Sequence, residues 1–221
     1  MFRDRFEITD YDILKRRTRI PGSTDFLGMT APPHGGGKTV NGSFDGGYSP
    51  GVALVAQYVE QYLFRKMQYA RIKDPNLAAV QEMACGYDGI DAGDLPSCRS
   101  VMRAFIDKGY VSHTNGVGYI SPDTDDIKYF TYQYGGVVIE MKATDAVLNG
   151  DGDTHLGCYI NSAGSLVSEG VTKGFLTCGY NAGYLFLQNS LGTNCGSMGF
   201  HFMPWYIVSQ LALRCWTFRL T

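Results

Sequence analysis

The sequence predicts an α+β protein with much irregular connection, helical in its first half and rich in short strands in its second. Three observations carry that prediction. A helical repeat of apolar residues begins at Ser49-Pro50, short β-type runs separated by Gly and Asn turns follow Val111, and 28 Gly, 15 Tyr and 12 Phe in 221 residues lean toward turns and sheet. A chain of this length can bury a core of its own, as one unit or as two small lobes sharing a cleft.

Residues 20 to 50 are rich in Gly and Pro and read as a long ordered connection. Ser49 suits an N-cap and Pro50 the first helical position. Val52, Val55, Ala56, Val59, Tyr62 and Leu63 then recur at helical spacing, which predicts a helix to about Met67. Cys85 to Gly93 reads as turn. A second helix is predicted from Ser97 to Lys108, with Val101, Met102, Phe105 and Ile106 as its apolar stripe and Gly109 as its stop. Strands are predicted at Tyr129 to Tyr134, Gly136 to Met141, Gly174 to Gly179, Tyr184 to Gln188 and Gly199 to Met203. No internal repeat is evident.

Charge and composition exclude several classes. The net charge of -2 gives no positive field to hold a phosphate backbone, which argues against a nucleic-acid partner. The cationic cluster Lys15 to Arg19 has no interleaved aromatics and reads as a solvated turn. Residues 1 to 20 carry Arg3, Asp4, Arg5 and Glu7 where a signal peptide needs an apolar run, and no stretch reaches membrane-spanning length, so synthesis in a cytoplasm without a membrane span is expected. The six cysteines, Cys85, Cys98, Cys158, Cys178, Cys195 and Cys215, show no metal-ligand spacing and read as buried free thiols.

Local motifs do not define a site. His34-Gly-Gly-Gly-Lys38-Thr39 has the end of a phosphate-binding loop, but Pro32 stands where the first Gly is required and no helix pattern follows. Asn149-Gly-Asp-Gly-Asp153 lacks the downstream bidentate Glu of an EF-hand loop and reads as a solvated turn. His34, His113, His155 and His201 have no local partner that marks a triad, and each reads as structural or surface. No cofactor or metal is expected.

The C-terminal third carries a more specific pattern. Gly174-Phe-Leu-Thr-Cys-Gly-Tyr180, Gln188-Asn-Ser-Leu-Gly192 and Cys195-Gly-Ser-Met-Gly-Phe200 resemble the signature end of the papain-like cysteine proteases. Phe202 to Ile207 and Cys215 to Phe218 resemble the tail of the family's bacterial and phage branch, which ends in a comparable aromatic strand. Tyr134 to Glu140 resembles its Gly-Pro-Val strand, Gly86 to Tyr110 its Gly-rich turn leading into a helix, and Asp10 to Asp12 with Pro21 to Phe26 the start of a mature domain. The resemblance implies one papain-like domain over residues 1–221, with a mainly helical lobe over 1–115 and a mainly β, antiparallel barrel-like lobe over 116–221.

At the family's catalytic positions the residues differ. The nucleophile's place falls on Gly51, or on Pro50 with a one-residue slip, and neither attacks a carbonyl. The oxyanion-hole glutamine corresponds to Asp45, whose charge repels a developing oxyanion. Lys173 stands for the catalytic histidine, and a lysine of ordinary pKa is protonated at neutral pH. Asn189 alone matches its family counterpart, and with no imidazole to hold it is expected to serve strand-end hydrogen bonding.

The resemblance therefore implies a non-catalytic structural or binding protein, a pseudoenzyme. Its expected partners are other protein chains of an assembly such as a phage virion, as a tail or capsid accessory, with an extended segment in the old substrate groove. Two alternatives stand beside it. One is a hydrolase using a Ser49/Lys173 dyad, which needs the lysine's pKa lowered by desolvation. The other is a carbohydrate- or cell-surface-binding module using the Tyr and Trp side chains.

Overall fold

The computed structural model describes residues 22, 24–25, 49–65, 75–111, 114–149, 159–190 and 199–220. In chain order the elements are β1 (Thr24–Asp25), α1 (Pro50–Arg65), α2 (Leu77–Asp88), α3 (Cys98–Asp107), β2 (Thr114–Ile120), α4 (Thr124–Tyr134), β3 (Val138–Lys142), α5 (Asp145–Asn149), β4 (Thr172–Tyr180), β5 (Tyr184–Gln188), β6 (Phe200–Pro204), α6 (Trp205–Leu211) and β7 (Ala212–Leu220). The strands form one antiparallel sheet in the order β2-β7-β3-β4-β5-β6, with β1 paired to the end of β4.

Side-chain alternation along the central strands divides the interior in two, because successive residues of a strand point to opposite faces. Val138, Leu176 and Phe218 face a first core built with α1, α2 and α3. Ile139, Phe175 and Cys215, on the other face of the same strands, join a second core with α4 and α6. The first core thus draws on strands from the second half of the chain.

Helix α1 begins as its sequence predicts. Ser49 Oγ accepts the Val52 amide at 3.4 Å, and Pro50 opens the helix. Every residue from Val52 to Val59 is buried, as befits a helix enclosed on all sides. It is tied to the sheet by Tyr58, whose hydroxyl lies 2.7 Å from Thr217 Oγ1 and whose ring stacks on Phe218 with centroids 5.0 Å apart. The predicted helix at 97–108 is α3, capped by Ser97, with Gly109 at a φ of 74° beyond its end.

Three expectations fail, each for a physical reason. Cys85 to Asp88, read as turn, closes α2; the break comes at Gly89, whose φ of 68° makes it the left-handed cap. Tyr129 to Tyr134, read as strand from its aromatic content, belongs to α4. There Asp123 accepts the Asp125 and Asp126 amides, Ile127, Phe130 and Thr131 bury one face, and Gly135 ends the helix. The cap and the helical burial pattern outweigh β propensity. Phe202 to Ile207, read as an aromatic strand, is strand only to Pro204 and then turns into α6, which buries Ile207, Val208 and Leu211. The remaining predicted strands are β3, β4, β5 and β6. Strand β2, which holds Gly116 and Gly118, was not predicted.

One polar knot joins α4 to the sheet. Thr177 Oγ1 lies 2.7 Å from Thr131 Oγ1 and accepts the Val137 amide at 2.7 Å, all of it buried. Thr177→Val is expected to leave the Val137 donor without this acceptor in a dry site and to cost about 1–3 kcal/mol in denaturant unfolding.

Candidate functional site

A cleft of about 420 Å³ opens where the first core reaches the surface, between the N-termini of α1 and α3 on one side and strands β3, β4 and β7 on the other. Gly51 and Leu54 of α1, Cys98 of α3, and Glu140, Lys173 and Arg214 of the strands are among its walls.

The helical wall is held by two polar hubs. Gln81 of α2 is buried; its Oε1 accepts the Ser49 amide at 3.1 Å, while its Nε2 donates to the carbonyls of Ala92 at 3.2 Å and Asp94 at 2.7 Å. It thereby fixes the start of α1 against the loop after α2. Asp88 closes α2 and also caps α3, accepting the Ser97 amide at 2.6 Å and the hydroxyls of Ser97 and Ser100. Between Asp94 and Ser97, which these two hubs hold, the chain carries Leu95 and Pro96 to the cleft rim.

On the sheet wall the register sets Glu140 opposite Gly174 on one side and opposite Arg214 on the other. Arg214 Nε donates to Glu140 Oε2 at 2.8 Å, with the Glu140 side chain 8% and the Arg214 side chain 53% exposed. Gly174 lets β4 approach α1 closely, since a Cβ there would stand 3.1 Å from Leu54 Cδ2 and 3.7 Å from Cys98 Sγ. Lys173, next to Gly174 on β4, also lines the cleft, with Nζ 6.0 Å from the Phe175 ring centroid.

The sequence-derived positions fall as follows. Gly51 and Lys173 line the same cleft. A Cβ on Gly51 would meet only ordinary contacts, Ser49 Oγ at 3.7 Å and the Pro96 carbonyl oxygen at 3.8 Å. Ser49 is wholly buried with its hydroxyl on the Val52 amide. Asn189 is also wholly buried; its side chain meets the imidazole of His201 at 3.2 Å, and its amide donates to the Gly199 carbonyl at 2.9 Å. Asp45 lies outside the described residues, as do the glycine-rich stretch 34–39, residues 150–153, His34, His113, His155, Cys158 and Cys195.

Cys85, Cys98, Cys178 and Cys215 are buried free thiols. Burial, followed by the charge and hydrogen bond of Glu140, pushes the Cys98 thiol well up, and burial also raises Cys85 and Cys215. Cys98, although on the cleft wall, is thus held as a neutral thiol rather than the reactive thiolate. Below the ordinary value of 9.0 these thiols are protonated whether the chain is folded or not. Above it the unfolded chain ionises them and the folded chain does not, so stability falls as pH rises. A melting-temperature series from about pH 8 to pH 11 is expected to decline above the ordinary thiol pKa, and Cys215→Ala to flatten the decline.

Sequence reasoning missed Glu140, Arg214 and Cys98 as cleft residues. Two of them carried a signal: Glu140 and Arg214 are isolated charges in apolar runs that became strands. The half-buried rings of Tyr159, Tyr184, Phe186 and Phe202 pack against one another with centroids 5.1–5.7 Å apart. Among the described residues no group of three or more His, Cys, Asp or Glu could hold a metal ion, and no helix is long and apolar enough to cross a membrane.

No protein-family model matches the sequence, and no curated protein matches it. Solved structures do resemble the fold. Xylellain, a cysteine protease from Xylella fastidiosa, superposes with a TM-score of 0.62 at 13% identity, over 92% of this chain and 87% of that one. Digestive procathepsin L 3 from the larval midgut of Tenebrio molitor gives 0.61 at 16% identity, over 93% and 72%. Procathepsin L2 from the same tissue gives 0.60 at 16%, over 92% and 70%. At such identities the likeness speaks to architecture alone, and on that ground this chain has the papain-like fold, helices against an antiparallel sheet.

Proposed function

We propose that this chain is a non-catalytic papain-fold protein that holds an extended polypeptide in its cleft, as a component of a larger assembly such as a phage tail or capsid. The observation that carries the reading is that Gly51 and Lys173, at the family's nucleophile and base positions, line one cleft. Glycine offers no nucleophile, and a lysine of ordinary pKa takes no proton at neutral pH. Cys98, the cysteine on the cleft wall among the described residues, is kept neutral by burial and by Glu140.

The Ser49/Lys173 alternative is weakened by Ser49 itself, which is fully buried and engaged as the α1 cap. The sugar-binding alternative gains little from aromatic rings that stack edge to face on each other. The test is to incubate the protein with a pool of extended peptides, separate the bound fraction by gel filtration and weigh it by mass spectrometry. Bound peptides recovered intact support the reading; cleaved peptides, or none bound, overturn it. Copurification only as a free monomer removes the assembly role.

A further inference from the structure

We infer that the cleft selects an acidic side chain, which seats on Arg214; this deepens the proposed function and rests on it. Among the described residues four charged ones line the cleft: Asp88, Glu140, Lys173 and Arg214. Both carboxylates are committed to the protein itself. Asp88 accepts the Ser97 amide and the Ser97 and Ser100 hydroxyls at the head of α3. Glu140 is nearly buried and held by Arg214 Nε at 2.8 Å.

Arg214 is placed differently. Its ion pair uses Nε, on one edge of a guanidinium that has five N–H donors, and the side chain is 53% exposed. Glu140 therefore acts as a positioning residue: it fixes the plane of the guanidinium from the sheet side and leaves the terminal nitrogens for a ligand. A carboxylate is the group that planar fork matches, through charge-assisted and often paired hydrogen bonds. The remainder of the cleft favours a side chain with a methylene stem, since Leu54, Ile90, Leu95 and Pro96 form apolar wall and Leu95 is 57% exposed. A glutamate in an extended segment supplies both parts, with its stem against the apolar wall and its carboxylate on Arg214.

The experiment uses the full chain and a displayed library of extended peptides randomised at each position. The expected result is enrichment of Glu or Asp at one position, with Glu→Gln in the selected peptide weakening binding by about tenfold or more, as loss of a charge-assisted hydrogen bond implies. Arg214→Gln should abolish the preference. Because that change leaves Glu140 buried without its cation, the paired variant Glu140→Gln/Arg214→Gln removes both charges together and should also bind peptides without acidic preference. Selection of peptides with no acidic position, or an acidic preference unchanged in the paired variant at an unchanged melting temperature, overturns the inference while leaving peptide binding in place. Enrichment of no peptide overturns both.

Discussion

Gly51→Cys is expected to create a thiol alkylated about tenfold or more faster than Cys85, Cys98, Cys178 or Cys215. Gly51 is the second residue of a sixteen-residue helix, where the helix dipole and the free amides favour a thiolate. It lines the cleft, and its new Cβ meets nothing nearer than 3.7 Å. The four wild-type thiols among the described residues are buried, and for three of them the pKa is raised. Peptide mapping after a timed dose of iodoacetamide reads each cysteine separately, Cys158 and Cys195 included. A substituted thiol no faster than the buried four contradicts the placement of Gly51 on the cleft wall. The variant is not expected to turn over peptides, because a lysine of ordinary pKa is a poor base at neutral pH and Lys173 stands where the family has its histidine.

Phe218→Ala is expected to cost about 3–5 kcal/mol, the usual range for removing a fully buried phenyl ring. The ring is inaccessible, belongs to the first core, and stacks on Tyr58 of α1 at 5.0 Å. Its loss removes apolar packing between the central helix and β7. The two cores use opposite faces of β3, β4 and β7, so the cavity should be felt by the whole molecule. Denaturant unfolding followed by both tryptophan fluorescence and circular dichroism should shift as one transition. Two transitions of which only one moves contradict a shared sheet.

Legibility of the fold in the sequence followed the strength of the local signals. Helix α1 was readable because Ser49, Pro50 and the apolar repeat agree on where it begins. Strand β5 was readable because Tyr184 to Gln188 is a short β-type run bounded by turns. Helix α4 was not, since Tyr129 to Tyr134 has strand-like composition and its start is announced only by Asp123, ahead of the aromatic run. At the site, the family resemblance pointed to Gly51 and Lys173, and these two residues share the cleft. The Glu140–Arg214 pair was out of reach, because its two members are 74 residues apart and meet only through the β3–β7 register. Asn189 was expected to serve strand-end hydrogen bonding; its amide does so, and its side chain meets His201, which local sequence gave no reason to pair with it.

Turnover by the wild-type protein tests the proposed absence of catalysis in this cleft. Wild-type protein is incubated under reducing conditions at neutral pH with a denatured protein substrate, and new chain termini are counted by mass spectrometry. The account predicts none above the background of a Lys173→Met control. Cleavage by the wild type that Lys173→Met, Ser49→Ala or Cys98→Ser abolishes, while the variant still melts as the parent does, would contradict it.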